Sequence, residues 1–445
     1  MYQHQPRPWW GGTNKGITMA NIYESMTTSE LDEAIAELEA QADQIRARGL
    51  SLDMARGKPS VEQTDLSRGM LDMLGSDSDL TDQGAPADNY GIPDGLPSAR
   101  QLAADLLGVD PANVIVNGSS SLNLMHDTVS HAFTHGIGGN EPWCRQGEIK
   151  FLCPSPGYDR HFGVTAYYGI TNVPVAMTHD GPDMDEVVRL VESDASVKGI
   201  WCVPKYANPT GISYSDETVR RFAALRPAAP DFRIFWDNAY IVHDLYEEGD
   251  QLLNIFDALK EAGRENLVYE FASTAKVTFP SSGMAFVTAG PADIAELRSA
   301  FSVMRVSPEK LTQLAHVRFL GSVDGIRDHM AKHAAILRPR FELVQQKLQD
   351  GLGDAGIATW TNPRGGYFVS FDGPEGSAKR IVGLMRELGV TLTGAGATWP
   401  YGRDPKDSNI RIAPTYPSLE QLGDALDVFV VAARLVAAQL ERESR

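Results

Sequence analysis

The sequence predicts an α/β protein, with a mostly parallel sheet flanked by helices and a smaller α+β domain after it. Short apolar runs that do not alternate strictly, as in strands buried on both faces, alternate with helical patterns between residues 114 and 287. The pattern then changes to a long helical stretch over 308–350, a glycine-rich strand over 365–370 and a last helix over 418–441. We therefore expect an N-terminal arm and helix (1–50), a large domain (51–310) and a small domain (311–445) to which the N-terminal segment contributes.

The individual elements follow from local signals. Thr27 and Glu30 have the spacing of a capping box, and an apolar stripe at helical spacing follows them, so a helix is predicted to begin there. The first twenty or so residues are expected to be a loose arm, and residues 65–95, rich in Asp, Ser and Gly, a surface loop. Six buried strands are predicted, over 114–116, 150–153, 199–203, 233–236, 267–271 and 284–287.

Composition restricts the class of partner. The 445 residues include 40 Lys and Arg against 58 Asp and Glu, a net charge of −18. This balance argues against nucleic acid or an anionic membrane surface as the main partner. No apolar run is long enough to span a membrane, and the three cysteines form neither a metal-ligand pattern nor a disulfide framework. We expect a cytoplasmic protein without a metal site.

Polar side chains follow three of the predicted strands. Lys276 comes shortly after the strand over 267–271, Asp237 and Tyr240 follow 233–236, and Asn208 follows 199–203. Ligands of open parallel sheets bind beyond the carboxyl ends of the strands, so these side chains are expected to face one crevice. A buried aspartate there needs a cationic partner.

A fourth strand leads into a candidate phosphate site. Gly118, Ser119 and Ser120 lie between the strand over 114–116 and a predicted helix, where backbone and hydroxyl donors can bind a phosphate. Together these groups suit pyridoxal phosphate: Lys276 would form the Schiff base, and Asp237 would keep the pyridine nitrogen protonated. Lys276 would then be free to act as general acid and base.

The chain resembles the pyridoxal-phosphate-dependent aminotransferases of fold type I, in the aspartate aminotransferase superfamily. The resemblance covers about residues 50 to 420 and is most specific to aspartate aminotransferase subgroup Ic, the actinobacterial type also called MocR-family aminotransferases. It is carried by Arg56–Pro59, Asn117–Leu122, Cys153–Phe162, Phe235–Tyr240, Ser273–Lys276 and Asn409–Pro414.

The resemblance implies a role for each matching residue. Tyr158 would stack on the pyridine ring, and Ser273 would contact the phosphate. Asn208 and Tyr240 would bond the ring phenolate oxygen, with Asn208 also at the substrate. Arg411 would bind the substrate α-carboxylate by its bidentate fork, with Gly57 beside the substrate. Tyr90 would reach the phosphate of a neighbouring subunit, which implies a homodimer with shared active sites.

Two positions depart from the family pattern. Met284 stands where many relatives have a phosphate-binding arginine eight residues after the lysine, and Ala315 stands where the subgroup commonly has an arginine. Aspartate as substrate would need a second cation for its distal carboxylate. Candidates are present, but none can be assigned to that role: Arg56, Lys58, Arg145, Arg160, Lys205, Arg305 and Lys310.

The leading hypothesis is an aminotransferase that moves nitrogen between an amino acid, aspartate or glutamate first, and a 2-oxo acid by a ping-pong mechanism. A second hypothesis keeps the cofactor but assigns elimination, replacement or cyclisation on another amino acid, as in specialised metabolism. A third is a ligand-sensing transcription regulator. It is disfavoured because only about fifty mostly acidic residues precede Arg56, where a basic winged helix would be needed.

Overall fold

A computed structural model of the protein describes residues 21–445. The predicted loose arm of the first twenty residues lies outside this range. The described helices are α1 Thr28–Ala47, α2 Val61–Asp65, α3 Pro97–Leu107, α4 Ser121–His135, α5 Asp159–Tyr167, α6 Met184–Ser193, α7 Asp216–Ala223, α8 Ile255–Ala262, α9 Pro291–Met304, α10 Lys310–Leu320, α11 Val323–Leu352, α12 Ala378–Glu387 and α13 Leu419–Glu443.

Strands form one large sheet and three small ones in the described chain. The strands are β1 Leu52–Asp53, β2 Thr81–Asp82, β3 Ala85–Pro86, β4 Val114–Val116, β5 Lys150–Ser155, β6 Thr171–Thr178, β7 Gly181–Pro182, β8 Val197–Cys202, β9 Arg233–Asp237, β10 Val268–Ser273, β11 Ala285–Ala289, β12 Thr359–Trp360, β13 Val369–Asp372, β14 Val390–Thr391 and β15 Asn409–Ile412. The large sheet has the order β4–β11–β10–β9–β8–β5–β6–β7. Its middle pairs, from β10 to β6, are parallel, whereas β11 is antiparallel to both of its neighbours and β7 is antiparallel to β6.

The predicted fold class is confirmed: a mainly parallel sheet lies between helices. All six predicted strands are present, each within two residues of its expected ends, and β4, β8, β9 and β11 are buried throughout. Side chains of α4, α5 and α9 cover one face of the sheet, and those of α6, α7 and α8 cover the other. The missed strand β6 is half exposed and contains Pro174, so it lacks the continuous apolar run that identified the others.

A second core lies under the C-terminal sheet β12–β13–β15. It combines this sheet with α12, α13 and the second half of α11, and Leu31 and Leu38 of α1 pack against it. The N-terminal helix therefore contributes to the C-terminal core. As predicted, α1 begins with a capping box in which Thr27 accepts a hydrogen bond from the backbone of Glu30, and Glu30 accepts one from the backbone of Thr27.

The helical stretch predicted over 308–350 is two helices, because the chain turns at Gly321 with φ of +71°. Leu314 of α10 and Met330 of α11 belong to a core beneath β4, whereas Leu337 belongs to the C-terminal core. The side chains thus change from one core to the other within α11. The domain boundary after residue 310 stays a prediction.

Candidate active site

Three neighbouring strands of the large sheet end at the same edge. The order β10–β9–β8 brings Ser273, Asp237 and Cys202 to its carboxyl side, and the register sets Phe271 opposite Asp237. The segments that follow carry Lys276 and Asn208. The predicted strand-end arrangement is therefore present, because parallel strands place their carboxyl ends together.

Asp237 is paired with a histidine that the sequence reasoning did not select. The carboxylate is 3 % exposed, and its Oδ2 lies 2.9 Å from Nε2 of His161 in α5. Ser121 Oγ donates to Oδ1 at 3.5 Å. The His161 ring stacks on Trp201 with 4.6 Å between centroids. An Nε2–H that donates to Asp237 compensates the desolvation of this buried carboxylate.

Tyr158 stands directly before α5 and shares its end of the helix with His161. The two rings meet edge to face, with 4.8 Å between their centroids. Burial raises the pKa of Tyr158 to about 12, while the positive charge of Lys276 opposes this rise and the charges of Tyr240 and Asp237 add to it. Each of these three groups is therefore close enough to Tyr158 to act on it electrostatically.

Lys276 lies in the turn after β10, half-buried between aromatic rings. Its Nζ is 4.7 Å from the ring centroid of Tyr240 and 6.0 Å from that of Tyr367. Tyr240 is buried; desolvation, then Asp237, raises its pKa, and Arg411 opposes the rise. A neutral tyrosine hydroxyl beside the lysine can donate a hydrogen bond to a bound anion.

The segment after β4 is built as an anion cradle. Gly118 has φ of +76°, and Ser120 precedes α4 without a side-chain capping bond to any described residue, so no cap side chain occupies the amides at the start of the helix. The Nδ2 group of buried Asn117 finds no acceptor within residues 21–445. A Cβ on Gly283 would lie 2.5 Å from the carbonyl oxygen of Ser119 and 3.0 Å from Ala275. The absence of a side chain there lets the cradle and the lysine turn touch.

Arg411 of β15 enters the site from the C-terminal sheet. Its Nη1 donates to Asn208 Oδ1 at 3.2 Å and to Asp159 Oδ1 at 3.3 Å, and its Nη2 donates to Thr393 Oγ1 at 3.2 Å. The side chain is buried, yet its Nε has no acceptor in the described part of the chain. The edge formed by Nε and Nη2 is the edge that binds a carboxylate in bidentate fashion.

Gly57 belongs to the support of Arg411. The guanidinium lies 4.9 Å from the ring centroid of Phe368. A Cβ on Gly57 would come within 2.4 Å of that same ring. The glycine therefore lets the chain pass directly against the aromatic platform beneath the arginine.

Two further predicted groups are Tyr90, which is exposed, and Ser273, which lies at the sheet edge three residues before Lys276. Tyr90 is 78 % exposed on a loop whose backbone is held by Lys310, so a single chain does not bring it to Lys276. Ser273 lies at the end of β10, and its Oγ accepts a hydrogen bond from the Ala275 amide at 3.4 Å.

Met284 occupies the place of the expected arginine without replacing its charge. Its side chain is buried in the core beneath β4. Its backbone amide donates to Thr274 Oγ1 at 2.8 Å, and its carbonyl accepts from the Thr274 amide at 2.9 Å. The residue thus fastens the lysine turn through its main chain.

Three of the candidate cations for a distal carboxylate are bound elsewhere. Lys205 is paired with Asp244 at 2.9 Å, Arg305 contacts Asp127, and Lys310 donates to the Pro86 carbonyl at 2.7 Å. Arg56, Arg145 and Arg160 are exposed, and Lys58 lies over the ring of Tyr416.

The donor set fits pyridoxal phosphate. Unsatisfied buried donors occur at both ends of the site, Asn117 Nδ2 near the cradle and Arg411 Nε near the substrate edge, within residues 21–445. A phosphate and a carboxylate are acceptors that would satisfy such groups. Between the two ends lie a lysine amine and the Asp237 carboxylate, which suit an aldehyde and a pyridine nitrogen.

The chain is similar to known aminotransferases along nearly its whole length. The family model "Aspartate amino-transferase" matches residues 26–444. The chain belongs to this family. It is 44 % identical over 414 residues to a Mycolicibacterium smegmatis protein named as an aminotransferase, covering 92 % of this chain and 97 % of the relative. It is 39 % identical to an aspartate aminotransferase of Corynebacterium glutamicum, covering 91 % and 93 % of the two chains.

Solved structures agree with this membership. An aspartate transaminase from Corynebacterium glutamicum superposes with a TM-score of 0.92 at 38 % identity, covering 94 % of this chain and 99 % of the other. An α-aminoadipate aminotransferase from Thermus thermophilus, solved with a phosphopyridoxyl-leucine, shares the fold at 20 % identity with a TM-score of 0.71, covering 93 % and 100 % of the two chains. The protein is an aminotransferase, and its family implies pyridoxal phosphate as cofactor.

Metal and membrane chemistry find no support in the described chain. Residues 21–445 contain no cluster of His, Cys, Asp or Glu that could hold a metal ion. None of the helices described here is both long and apolar enough to cross a membrane.

Proposed function

We propose that the protein is a pyridoxal-phosphate-dependent aminotransferase that takes its amino group from a dicarboxylic amino acid, aspartate or glutamate. The acceptor is a 2-oxo acid such as 2-oxoglutarate or oxaloacetate, in two half-reactions on one site. The similarity to an aspartate aminotransferase at 39 % identity supports the substrate class. The observation that carries the proposal is the meeting of Lys276, Tyr240 and Asp237 at one edge of the sheet, with Lys276 Nζ 4.7 Å from the ring centroid of Tyr240.

The cofactor would be held by groups at three sides of the site. Gly118, Ser119, Ser120 and Ser273 would bind its phosphate, Tyr158 would cover its ring, and Asp237, fixed by His161, would accept a hydrogen bond from its nitrogen. When bound, pyridoxal phosphate supplies an electron-withdrawing ring that makes the Cα proton of an amino acid removable. The neutral thioether of Met284 leaves the backbone amides of the cradle as the main phosphate donors.

The remaining groups act on the substrate. Arg411 binds the α-carboxylate with Nε and Nη2, and Asn208, already bonded to Nη1, fixes the plane of the guanidinium. Lys276 Nζ, between the rings of Tyr240 and Tyr367, would take the proton from the substrate Cα as general base and later give a proton back as general acid. Tyr240 would hold the cofactor by a hydrogen bond from its hydroxyl to the phenolate oxygen.

Three further assignments belong to this proposal. The chain is placed in aspartate aminotransferase subgroup Ic, also called MocR-family aminotransferases, by the motif runs given above. It works as a cytoplasmic homodimer, and Tyr90, exposed on the single chain, reaches the phosphate site of the partner subunit. The free thiols of Cys144, Cys153 and Cys202 suit a reducing compartment.

A single-turnover experiment tests the reaction. Purified protein loaded with pyridoxal phosphate is mixed with one amino acid at a time, and mass spectrometry follows the cofactor and the carbon product. Aspartate or glutamate should convert the cofactor to its amino form with one equivalent of the matching 2-oxo acid. Release of ammonia or of a β-substituent, with the cofactor unchanged, would instead favour elimination or replacement.

A matched lysine variant separates chemistry from binding. Lys276→Ala should lose the covalent bond to the cofactor and its visible absorbance band while keeping the fold, measured by circular dichroism. Lys205→Ala is the control, since Lys205 is buried but paired with Asp244. Retention of both the band and turnover in Lys276→Ala contradicts the assignment.

A further inference from the structure

A chain of buried polar side chains starts at Gln63 in the short helix α2. Gln63 is fully buried, and its Oε1 accepts a hydrogen bond from the Ser60 amide at 3.0 Å. This bond turns Nε2 toward the Tyr367 hydroxyl oxygen and toward Nδ1 of His333, each at 3.0 Å. An amide nitrogen only donates, so both of these atoms must accept.

The acceptor role fixes the protonation of His333. With Nδ1 accepting, the neutral ring carries its proton on Nε2, which lies 3.2 Å from Nε2 of His329. Nε2 of His329 lies 2.9 Å from the Val277 carbonyl oxygen, so it carries a proton and donates to that oxygen rather than accepting from His333. The His333 ring has its own hydrogen bond to the main chain of Val277. Burial, reinforced by His329, lowers the pKa of His333 to about 4, so this ring stays neutral at physiological pH.

Both ends of this chain reach Lys276. Val277 is the next residue in the sequence, and the Tyr367 ring centroid lies 6.0 Å from Lys276 Nζ. These hydrogen bonds therefore run around the lysine, from the backbone next to it through side chains of α11 and α2 to the tyrosine ring beside its amine. The other titratable groups around the amine are Tyr240, Tyr158 and His243.

We propose that Gln63 is a positioning residue for Lys276, holding Tyr367 beside the amine and joining it through His333 to the carbonyl of Val277. The inference rests on the proposed function of Lys276. Every hydrogen bond in this series is made by a neutral group, so the series adds no second charge beside the amine. A charged residue in place of Gln63 would act electrostatically on the ammonium form of the lysine or on the anionic groups near it.

The test measures Lys276 in the apoenzyme, without cofactor or substrate. Competitive labelling with acetic anhydride, read by mass spectrometry over a pH series, gives the apparent pKa of this amine. Gln63→Leu removes both donated bonds, so the ring of Tyr367 is no longer held against the ammonium, and the pKa should fall by about half a unit. Gln345→Leu is the matched control, because Gln345 bonds Thr361 and Trp360 on the far part of α11.

The outcomes separate positioning from a merely structural role. An unchanged Lys276 titration with a lowered Tm in Gln63→Leu overturns the proposal. Tyr367→Phe keeps the ring but removes its anchor, and it should shift the Lys276 pKa in the same direction. Nitrogen-15 NMR of the unmodified protein must show His333 as the neutral Nε2–H tautomer at pH 7; any other form overturns the proposal without a variant. Because the labelling is independent of turnover, loss of the transamination hypothesis would not change its result.

Discussion

His161 Nε2 lies 2.9 Å from Asp237 Oδ2, and both side chains are almost completely buried. The imidazole is held from behind by its stacking on Trp201. Oδ2 of Asp237 is thus paired with His161, and Oδ1 has the longer contact with Ser121, which makes Oδ1 the oxygen proposed for the cofactor nitrogen. His161 connects the carboxylate to Trp201 of β8.

Replacing His161 by Phe should weaken cofactor binding by about 10- to 100-fold, because a hydrogen bond to a charged group contributes about 1.5–3 kcal/mol. The phenyl ring keeps the stacking on Trp201. Equilibrium titration with pyridoxal phosphate measures the change. His131→Phe is the control, since His131 also pairs with a carboxylate, Glu296, at 2.8 Å. Equal losses in both variants would show that the pair at Asp237 has no special role.

Asp159 bonds Nη1 of Arg411, beside the Nε and Nη2 edge proposed for the substrate carboxylate, so its negative charge offsets the charge of the guanidinium. Its carboxylate is 35 % exposed and bonds Nη1 of the arginine at 3.3 Å. Asp159→Asn should lower KM for the acidic substrate by about five-fold with little change in kcat, since a partly exposed ion pair is worth up to about 1 kcal/mol. Steady-state kinetics measure this split. Asp185→Asn, which removes an exposed partner of Arg221, is the control. A higher KM would instead assign Asp159 to orienting the arginine.

Gly57→Ala should raise KM by about ten-fold. The new methyl group would lie 2.4 Å from the Phe368 ring, and overpacking of this kind costs about 1–3 kcal/mol. The displaced ring carries Arg411 with it, so binding should fall more than folding. Gly383→Ala in α12 is the control, because a Cβ there meets no atom of the described residues within 4 Å. Initial rates and Tm are measured for both variants. A fall in Tm of Gly57→Ala without a change in its KM contradicts the prediction.

Glu270 makes stability depend on pH. It is 4 % exposed on β10, and burial raises its pKa from 4.5 to about 7, partly opposed by a hydrogen bond from Asn238 Nδ2 at 2.8 Å. The folded protein therefore holds this proton up to about pH 7, whereas the unfolded chain releases it near 4.5. Between these two values the folded state binds more protons, so this contribution to stability falls as pH rises.

Glu270→Gln should remove this dependence. The amide oxygen still accepts from Asn238, and no charge forms. Between pH 5 and pH 8, the free energy of unfolding of the variant should rise by on the order of 2 kcal/mol relative to that of the native protein. The difference in Tm between the two proteins, measured at both pH values, reports this change. Glu265→Gln, on the connection before β10, is the control. A Tm difference that is equal at both pH values contradicts the prediction.

The sequence indicated the residues at the centre of the candidate site better than the residues that hold them in place. Asp237 and Lys276 stand directly after apolar strands, and strand order alone brings such positions together. His161 carried one local signal, its spacing of three from Tyr158 at the start of a helix, which places both on one face. The bonds from Gln63 to His333 and Tyr367 join positions more than 250 residues apart, so no spacing in the chain could indicate them.

In the fold, too, some elements could be predicted from the sequence and others could not. Burial on both faces gives a strand a continuous apolar run, and such strands were located to within two residues. β6 was missed because three of its eight residues are exposed and three more are only partly buried. The turn at Gly321 was missed because the apolar pattern continues from α10 into α11, although Gly321, with its positive φ, and the N-cap Ser322 divide the two helices.

The helix α11 has a consequence for dissecting the protein. Its first turns are anchored beneath β4, and its later turns, from Leu337 onward, are anchored under the C-terminal sheet. A cut before this helix removes its first turns from the core beneath β4, and a cut after it removes its later turns from the C-terminal core. The fragment that loses α11 should expose an apolar groove, so complementation in trans should require that the other fragment carry the helix intact.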